Sequence, residues 1–326
     1  MLLLPKALLR LHNNKSSVLL RARFLTGKYN DMLNLKDIKI NDYEVLKDFL
    51  SFDDELSCEN SFANLYLWHG NIPNQYDIVD DSLIIKTQDY DKIMLRIPLG
   101  SNMKSAMEAI YKHFNNRFPD FYAYEGAAFD NFLSEYGNYF KIEEIRDDFE
   151  YIYLTDDLIE LSGKKYHSKR NHISAFSKKY NWRYESITEE NIEKIKLCAK
   201  EWYQKNNQKM DGTLSVDKDE SKLLLSNMRE LNLKGGAIFV DDKVVAYTVG
   251  TAVNNNVFDI MIEKALPEYA TAYAVINREF AANELSGYRF INREDDMGID
   301  GLRKAKLSYK PVKILKKYVC SYKGKL

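Results

Sequence analysis

The chain has 326 residues, more than a single hydrophobic core usually serves, so two packed domains are expected. A hydrophobic share of 45% and a charged share of 29% exclude extensive disorder, and a net charge of −1 excludes whole-molecule capture of nucleic acid or membrane. Cys58, Cys198 and Cys320 show no CxxC spacing and suggest neither a disulfide framework nor a structural zinc site.

Residues 1–31 carry Lys6, Arg10, Lys15, Arg21, Arg23 and Lys28, with no acidic residue before Asp31. That composition fits a transit segment, which would place the protein in an organelle matrix. The preferred alternative is an upstream start, because Met32 begins "MLNLKDIKINDYEVLKDFL", which reads as the opening of a domain. Either way, 1–31 is set aside as an N-terminal extension. No apolar run reaches about 18 residues, so no membrane span is expected and a reducing, cytoplasmic setting fits.

From Met32 the periodicity gives a helix at Tyr43–Leu50 and extended runs at Tyr76–Val79, Ser82–Lys86 and Lys92–Pro98. Met103, Ala106, Met107, Ile110, Tyr111, Phe114 and Phe118 then mark one helix face. A strand at Phe121–Tyr124, a short helix at Phe129–Tyr136 and a closing strand at Tyr151–Leu154 follow. The boundary falls near Asp156, dividing the chain into 32–156 and 157–326.

The second half repeats the order. Tyr166, Ile173, Phe176 and Tyr180 form the buried stripe of a helix whose cations stay exposed, and Ile192, Ile195, Cys198, Ala199 and Trp202 mark another helix. Extended runs at Gly236–Val240, Val244–Val253 and Val257–Ile262 precede a helix at Ala272–Leu285, a strand at Tyr288–Asn292, a short helix at Gly301–Ser308 and a final strand at Val312–Tyr318. Both halves place an Asp-Asp pair between extended runs, as a hairpin requires. This order, met twice, is that of the GNAT fold. The fold class expected is therefore α/β (α+β), with two tandem GNAT-like domains, each a mostly antiparallel mixed sheet flanked by helices.

Chemistry is concentrated in the second half. Glu294, Asp295 and Asp296 follow a predicted strand, where carboxylates hold an ammonium group or accept its proton. Gly298 and Gly301 allow close backbone approach at a helix start, where free N–H groups favour anions. On that helix Leu302, Ala305 and Tyr309 fall on a packing face, and Arg303, Lys306 and Lys310 on a face toward phosphate or solvent. From Gly301 onward there are nine Lys or Arg and no acid. Lys313, Lys316 and Lys317 read as a solvated edge strand. Lys169 and Arg170 belong to a second basic segment, and together the two segments predict an electropositive cleft. His167 and His172 lie on different sides of a helix, so no metal site is expected. In Pro267–Tyr273, where a GNAT protein cradles pyrophosphate, there is no glycine and no cation, and Glu268 opposes phosphate.

The segments Ser57–Gly70, Gly163–Phe176, Ile262–Phe280 and Asn292–Pro311 resemble the C-terminal catalytic domain of bacterial phosphatidylglycerol lysyltransferases, over roughly Met32–Tyr318. The resemblance implies a tandem GNAT pair that moves an aminoacyl group from charged tRNA to a lipid or a cell-wall precursor; the reading drawn from it has an aminoacyl-tRNA or acyl-CoA donor and an amine or hydroxyl acceptor, and names no cofactor beyond that donor. It implies a groove for the donor phosphates at Lys169, Arg170, Arg303 and Lys306, with Gly298 and Gly301. Carboxylates at Glu294, Asp295 and Asp296 would stand near a free α-amino group. On the first reading, Glu294 or Asp296 is the base or ammonium holder, Tyr273 or Tyr309 returns a proton to the leaving group, and a backbone N–H of Val257–Ile262 stabilises the oxyanion. The alternatives are an acetyl-CoA-dependent N-acetyltransferase and a noncatalytic module that binds tRNA or another polyanion.

Overall fold

In the first half the turn chemistry sets the strand register. Asp80 and Asp81 both adopt left-handed backbone, φ 44° and 60°, as a two-residue type I′ turn demands, and Val79 pairs with Ser82 across it. The computed structural model describes residues 32–50, 55–67, 73–89, 92–206 and 213–324. The extension 1–31 and the end of the Ser57–Gly70 segment lie outside the described residues.

In chain order, the first elements are β1 (Lys36–Asp37), α1 (Tyr43–Leu50), α2 (Phe62–Leu67), β2 (Gln75–Val79), β3 (Ser82–Asp89), β4 (Lys92–Arg96), β5 (Leu99–Gly100) and α3 (Met103–His113). They continue with β6 (Asp120–Tyr124), α4 (Ala127–Tyr136), β7 (Phe140–Glu144), β8 (Glu150–Leu154), α5 (Thr155–Glu160), α6 (His167–Lys179), β9 (Trp182–Ser186), α7 (Ile192–Asn206) and α8 (Thr213–Ser226). The last are β10 (Lys234–Val240), β11 (Lys243–Ala252), β12 (Val257–Ala265), α9 (Ala272–Glu284), β13 (Phe290–Asn292), α10 (Asp300–Leu307), β14 (Lys313–Leu315) and β15 (Lys317–Tyr322).

Two mostly antiparallel sheets with flanking helices result, so the tandem GNAT-like architecture expected from the repeat is present. One runs β1-β2-β3-β4-β6-β15-β7 with β5 on β3; the other runs β14-β8-β13-β12-β11-β10-β9. Each contains one parallel pair, β4 with β6 and β12 with β13.

The closing strands depart from the expectation. Tyr151–Leu154 does not close the first sheet; β8 lies in the second, between β13 and β14. The run Val312–Tyr318 is not one strand. It breaks at Lys316, so β14 stays in the second sheet while β15 crosses into the first, between β6 and β7. A cut near Asp156 therefore divides the chain but not the sheets. The reason is electrostatic as well as apolar. Leu315 is buried beside Ile152, whereas Lys317 is 1% exposed and donates to Glu59 and Glu150, both at 2.7 Å. Lys317 is thus no solvated edge lysine but the buried centre of an ion cluster.

The second sheet carries a bulge that positions charge. Gly250 pairs with Ile260 and Val249 with Ile262, leaving Met261 as an extra residue in β12. Phe258 and Ile260 face the core built on α9 with Phe280 and Ala281. Met261 and Ile262 both pack on the opposite side, among residues of α1, α2 and α7. Simple alternation would put Glu263 on that opposite side. The bulge instead turns it toward α9, where Asn277 donates to it at 3.1 Å.

Candidate active site

The strands β12 and β13 form a fork. They pair at Val257–Phe290, Phe258–Ile291 and Asp259–Asn292, after which β12 runs on to Ala265 beside β11. The chain after β13 turns away through left-handed Glu294, Met297 and Gly298, with φ of 53°, 51° and 70°. Charged side chains stand on both faces of the sheet at this opening.

On the α6 and α9 face, Glu263 accepts from Arg293 at 2.8 Å and from Asn277 at 3.1 Å. The Arg293 guanidinium lies 4.7 Å from the centre of the Tyr309 ring, and the Lys169 ammonium 3.6 Å from that centre. Tyr309 is 5% exposed, and its carbonyl accepts from Tyr166 at 3.1 Å, fixing the end of α10 against α6. One guanidinium nitrogen of Arg293 and the side-chain oxygen of Asn277 are buried without a hydrogen-bond partner. Burial, with help from the Arg293 charge, pushes the Lys169 ammonium down to about 8 against the pull of Glu263. Burial pushes the Tyr309 hydroxyl well up, so it keeps its proton at neutral pH. Burial also raises the nearby Tyr273 hydroxyl, against hydrogen bonds from Ala265 and Trp202.

On the face toward the first half, Asp259 is wholly buried and accepts from Asn64 at 3.0 Å through one oxygen, while the other has no partner. The sulfur of Cys58 and carboxylate oxygens of Asp259 and Glu294 all lie within 4.8 Å of one another. Burial raises both carboxyls well above the usual range, with help from the Glu150 charge at Asp259 and from the Asp259 charge at Glu294. Alongside, Glu150 accepts from Ser57, the Cys58 amide and Asn292. Glu59 is gripped by Arg96 at 2.5 Å and by Lys317 at 2.7 Å. Burial works against the Glu59 charge, yet those two cations hold the carboxyl down at about 2.

One carboxylate expected near an α-amino group meets directly a cation expected at the donor phosphates. Asp296, fully buried, accepts from Arg303 at 2.7 and 2.9 Å, from Tyr151 at 2.5 Å, from Arg146 at 3.2 Å and from the Gly298 amide at 3.0 Å. The anion at this helix start is therefore the protein's own. A side chain at Gly298 would strike the Asp147 carboxylate, whereas Gly301 is open to solvent. Lys306 is not exposed as its helix position predicted. It is 8% exposed and donates to the backbone carbonyls of Arg293 and Asp295, while Ala305, expected to pack, is exposed. Arg170 closes the turn after α5 through the carbonyls of Leu161 and Gly163. The outer side of α10 bears a shallow depression of about 460 Å³ lined by Asp300, Arg303, Lys304, Leu307, Ser308 and Lys310.

Of the residues singled out in the sequence, Lys169 and Tyr309 come into contact, with Tyr273 near them through Glu263. Glu294 and Asp295 share a surround with Lys306, and Asp296 shares one with Arg303. Arg293, Glu263, Asn277, Asp259 and Cys58 escaped sequence reasoning. Asp259 and Glu263 carried a signal, two acids within the otherwise apolar run Val257–Ile262 and its end; the bulge that re-aims Glu263 left none.

Among the described residues no helix is long and apolar enough to cross a membrane. A family model for the C-terminal region of phosphatidylglycerol lysyltransferase matches residues 54–321. A conserved protein of unknown function from Bacteroides thetaiotaomicron is 33% identical and superposes with a TM-score of 0.82, over 90% of this chain and 100% of that one. The C-terminal domain of a putative lysylphosphatidylglycerol synthetase from Agrobacterium fabrum shares the fold at 12% identity and a TM-score of 0.60, over 87% of this chain and 92% of that one. An uncharacterised protein of Mycoplasmoides gallisepticum is 25% identical over 171 residues, 52% of this chain; the match spans 54% of that relative, about half its length. With more than half of its length matched by that family model, the chain belongs to the phosphatidylglycerol lysyltransferase C-terminal family.

Proposed function

We propose that the fork between β12 and β13 is where this protein, by family and fold an acyl or aminoacyl transferase, joins donor and acceptor. The observation that carries the reading is Lys169, half-buried on the Tyr309 ring and held at about 8 beside Arg293. A proton acceptor works best when its pKa lies near the operating pH, and burial has brought this lysine there. The acceptor's amine or hydroxyl attacks the ester or thioester carbonyl of the donor. Its proton passes to Lys169, the new C–N or C–O bond forms, and the old C–O or C–S bond breaks. Tyr309, which keeps its proton at rest, gives it to the leaving group and is reprotonated by the Lys169 ammonium, so both groups return to their starting states. The unpartnered guanidinium nitrogen of Arg293 faces the anionic part of the donor. A backbone N–H of β12 beyond Asp259 receives the oxyanion, a contact worth roughly 3 kcal/mol in other acyl-transfer enzymes.

A charged tRNA is favoured over acetyl-CoA as donor because Glu268 stands at the turn before α9, held by Lys205 at 2.5 Å, where a pyrophosphate would have to sit. The test is transfer of a labelled aminoacyl group from charged tRNA, with binding of charged tRNA, uncharged tRNA and acetyl-CoA followed across a salt series. Selective affinity for the charged form, with turnover, supports the reading. Turnover with acetyl-CoA alone replaces it with an acetyltransferase. Equal tRNA affinities with a steep salt slope and no turnover leave a polyanion-binding module. Lys169→Met is expected to lower turnover by about 10² to 10⁴-fold without changing the melting temperature. The folded-state pKa of Lys169 lies below its unfolded value, so the neutral amine gains as pH rises through about 8. Wild-type turnover rises through the same range, and the variant loses that limb.

A further inference from the structure

We infer that Cys58, Asp259 and Glu294 form a binding site for one divalent metal ion of the zinc type, clamping the first half of the molecule to the second. The inference stands apart from the transfer reading, because it uses the opposite face of the sheet.

The three groups arrive from separate parts of the chain. Cys58 belongs to the turn before α2, Asp259 is the last residue of β12 paired with β13, and Glu294 lies just past β13. One ligand atom from each lies within 4.8 Å of the others. Tetrahedral zinc with bonds of about 2.0 to 2.3 Å sets such atoms roughly 3.5 Å apart. Side-chain rotation closes the remainder, chiefly in Glu294, the one of the three that is partly exposed.

Charge separates this group from its neighbour. Cys58 also lies within 4.8 Å of Glu59 and Glu150, but those carboxylates are satisfied by Arg96, Lys317, Ser57 and Asn292. Asp259 differs: no part of it reaches solvent, and one of its oxygens has no hydrogen-bond partner. Lys306, the ammonium that acts most strongly on both carboxylates, donates to two backbone carbonyls rather than to either of them, and those carbonyls flank Glu294. An unpaired buried carboxylate oxygen is costly unless a cation meets it. A thiol beside two carboxylates selects among cations, because sulfur adds nothing to an ammonium but is a strong ligand for zinc.

The turn that carries Glu294 is fixed by the protein itself. Glu294 holds a left-handed conformation, φ 53°, unusual for its residue type and fixed by its amide donating to Asn292 at 2.7 Å. Burial pushes the Cys58 thiol up, as it does the two carboxyls, and a bound ion would reverse all three by favouring the deprotonated forms.

The experiment uses the full chain, stripped with a chelator and dialysed, then titrated with Zn²⁺ alone by calorimetry and with Co²⁺ alone by absorption. The expected result is one equivalent bound, with the near-ultraviolet charge-transfer band of a cobalt thiolate. Cys58→Ser should abolish that band, and Cys58→Ser, Asp259→Asn and Glu294→Gln should each weaken Zn²⁺ binding at least tenfold. Should Asp259→Asn fail to fold by circular dichroism, the other two variants decide. No saturable uptake, a cobalt complex without the band, or affinity unchanged in Cys58→Ser overturns the site. Lys169→Met, at the fork, should bind Zn²⁺ like the wild type, so failure of the transfer reading and failure of this one are told apart.

Discussion

The two halves share a sheet order and differ in what they place at the parallel pair. In the first, β4 and β6 pair at Met94–Asp120, Leu95–Phe121 and Arg96–Tyr122. The space beyond them is closed by Ile97, Leu99, Ala123, Tyr124 and Phe129 with Glu55, leaving about 10 Å³. That is barely room for one water molecule. Arg96, the charged residue there, is 5% exposed and spent on Glu59. In the second half the same position gathers Lys169, Arg293, Glu263 and Tyr309 on one face and Asp259 and Glu294 on the other. On the proposed reading one topology serves as a support in one half and as a site in the other, and the difference lies in side chains and one extra residue in β12.

The largest expected effect breaks the connection between the halves. Lys317→Met leaves Glu59 and Glu150 buried without their shared cation, and should cost about 3 to 5 kcal/mol of stability, read by urea unfolding. A smaller effect sharpens the contrast. A Cβ at Gly250 would lie 2.0 Å from the Asp259 carbonyl oxygen, and one at Gly100, φ 138°, would lie 2.1 Å from the Asp81 carbonyl oxygen. Gly250→Ala and Gly100→Ala should each cost about 1 to 3 kcal/mol or more. Only the first should also lower transfer per folded molecule, since only it displaces the bulge that aims Glu263. Equal losses of transfer in both would sink the assignment of chemistry to the second half. The smallest effect is a gain: Asp81→Gly, exposed and at φ 60°, should add roughly 0.5 kcal/mol, with transfer unchanged.

Most helices and strands were legible because their apolar residues recur at the right period. The stripe Tyr166, Ile173, Phe176 and Tyr180 is buried or half-buried as spaced, and the Asp80-Asp81 turn falls where the composition put it. What escaped was relational. Alternation in Val312–Tyr318 describes a strand without saying which sheet receives it, so the crossing at Lys316 was hidden. Lysine reads as a surface residue, so Lys306 and Lys317 were misplaced, although both are buried against partners distant in sequence. Asp296 and Arg303 were given separate roles, one at the ammonium and one at the phosphate, but they satisfy each other and lock the turn between β13 and α10. The cluster of Cys58 with Asp259 and Glu294 had no motif spacing to reveal it, because folding alone assembles it.

The exchange of β8 and β15 also governs how the chain is made. The first sheet needs β15 between β6 and β7, so its middle stays open until residue 322 has left the ribosome. Domains ordinarily fold one after another as they emerge, but here the earlier half must wait for the later. Expressed alone, residues 32–156 would present β6 and β7 as unpaired edges and carry β8 with no sheet to join, so insolubility of that fragment is the expected outcome.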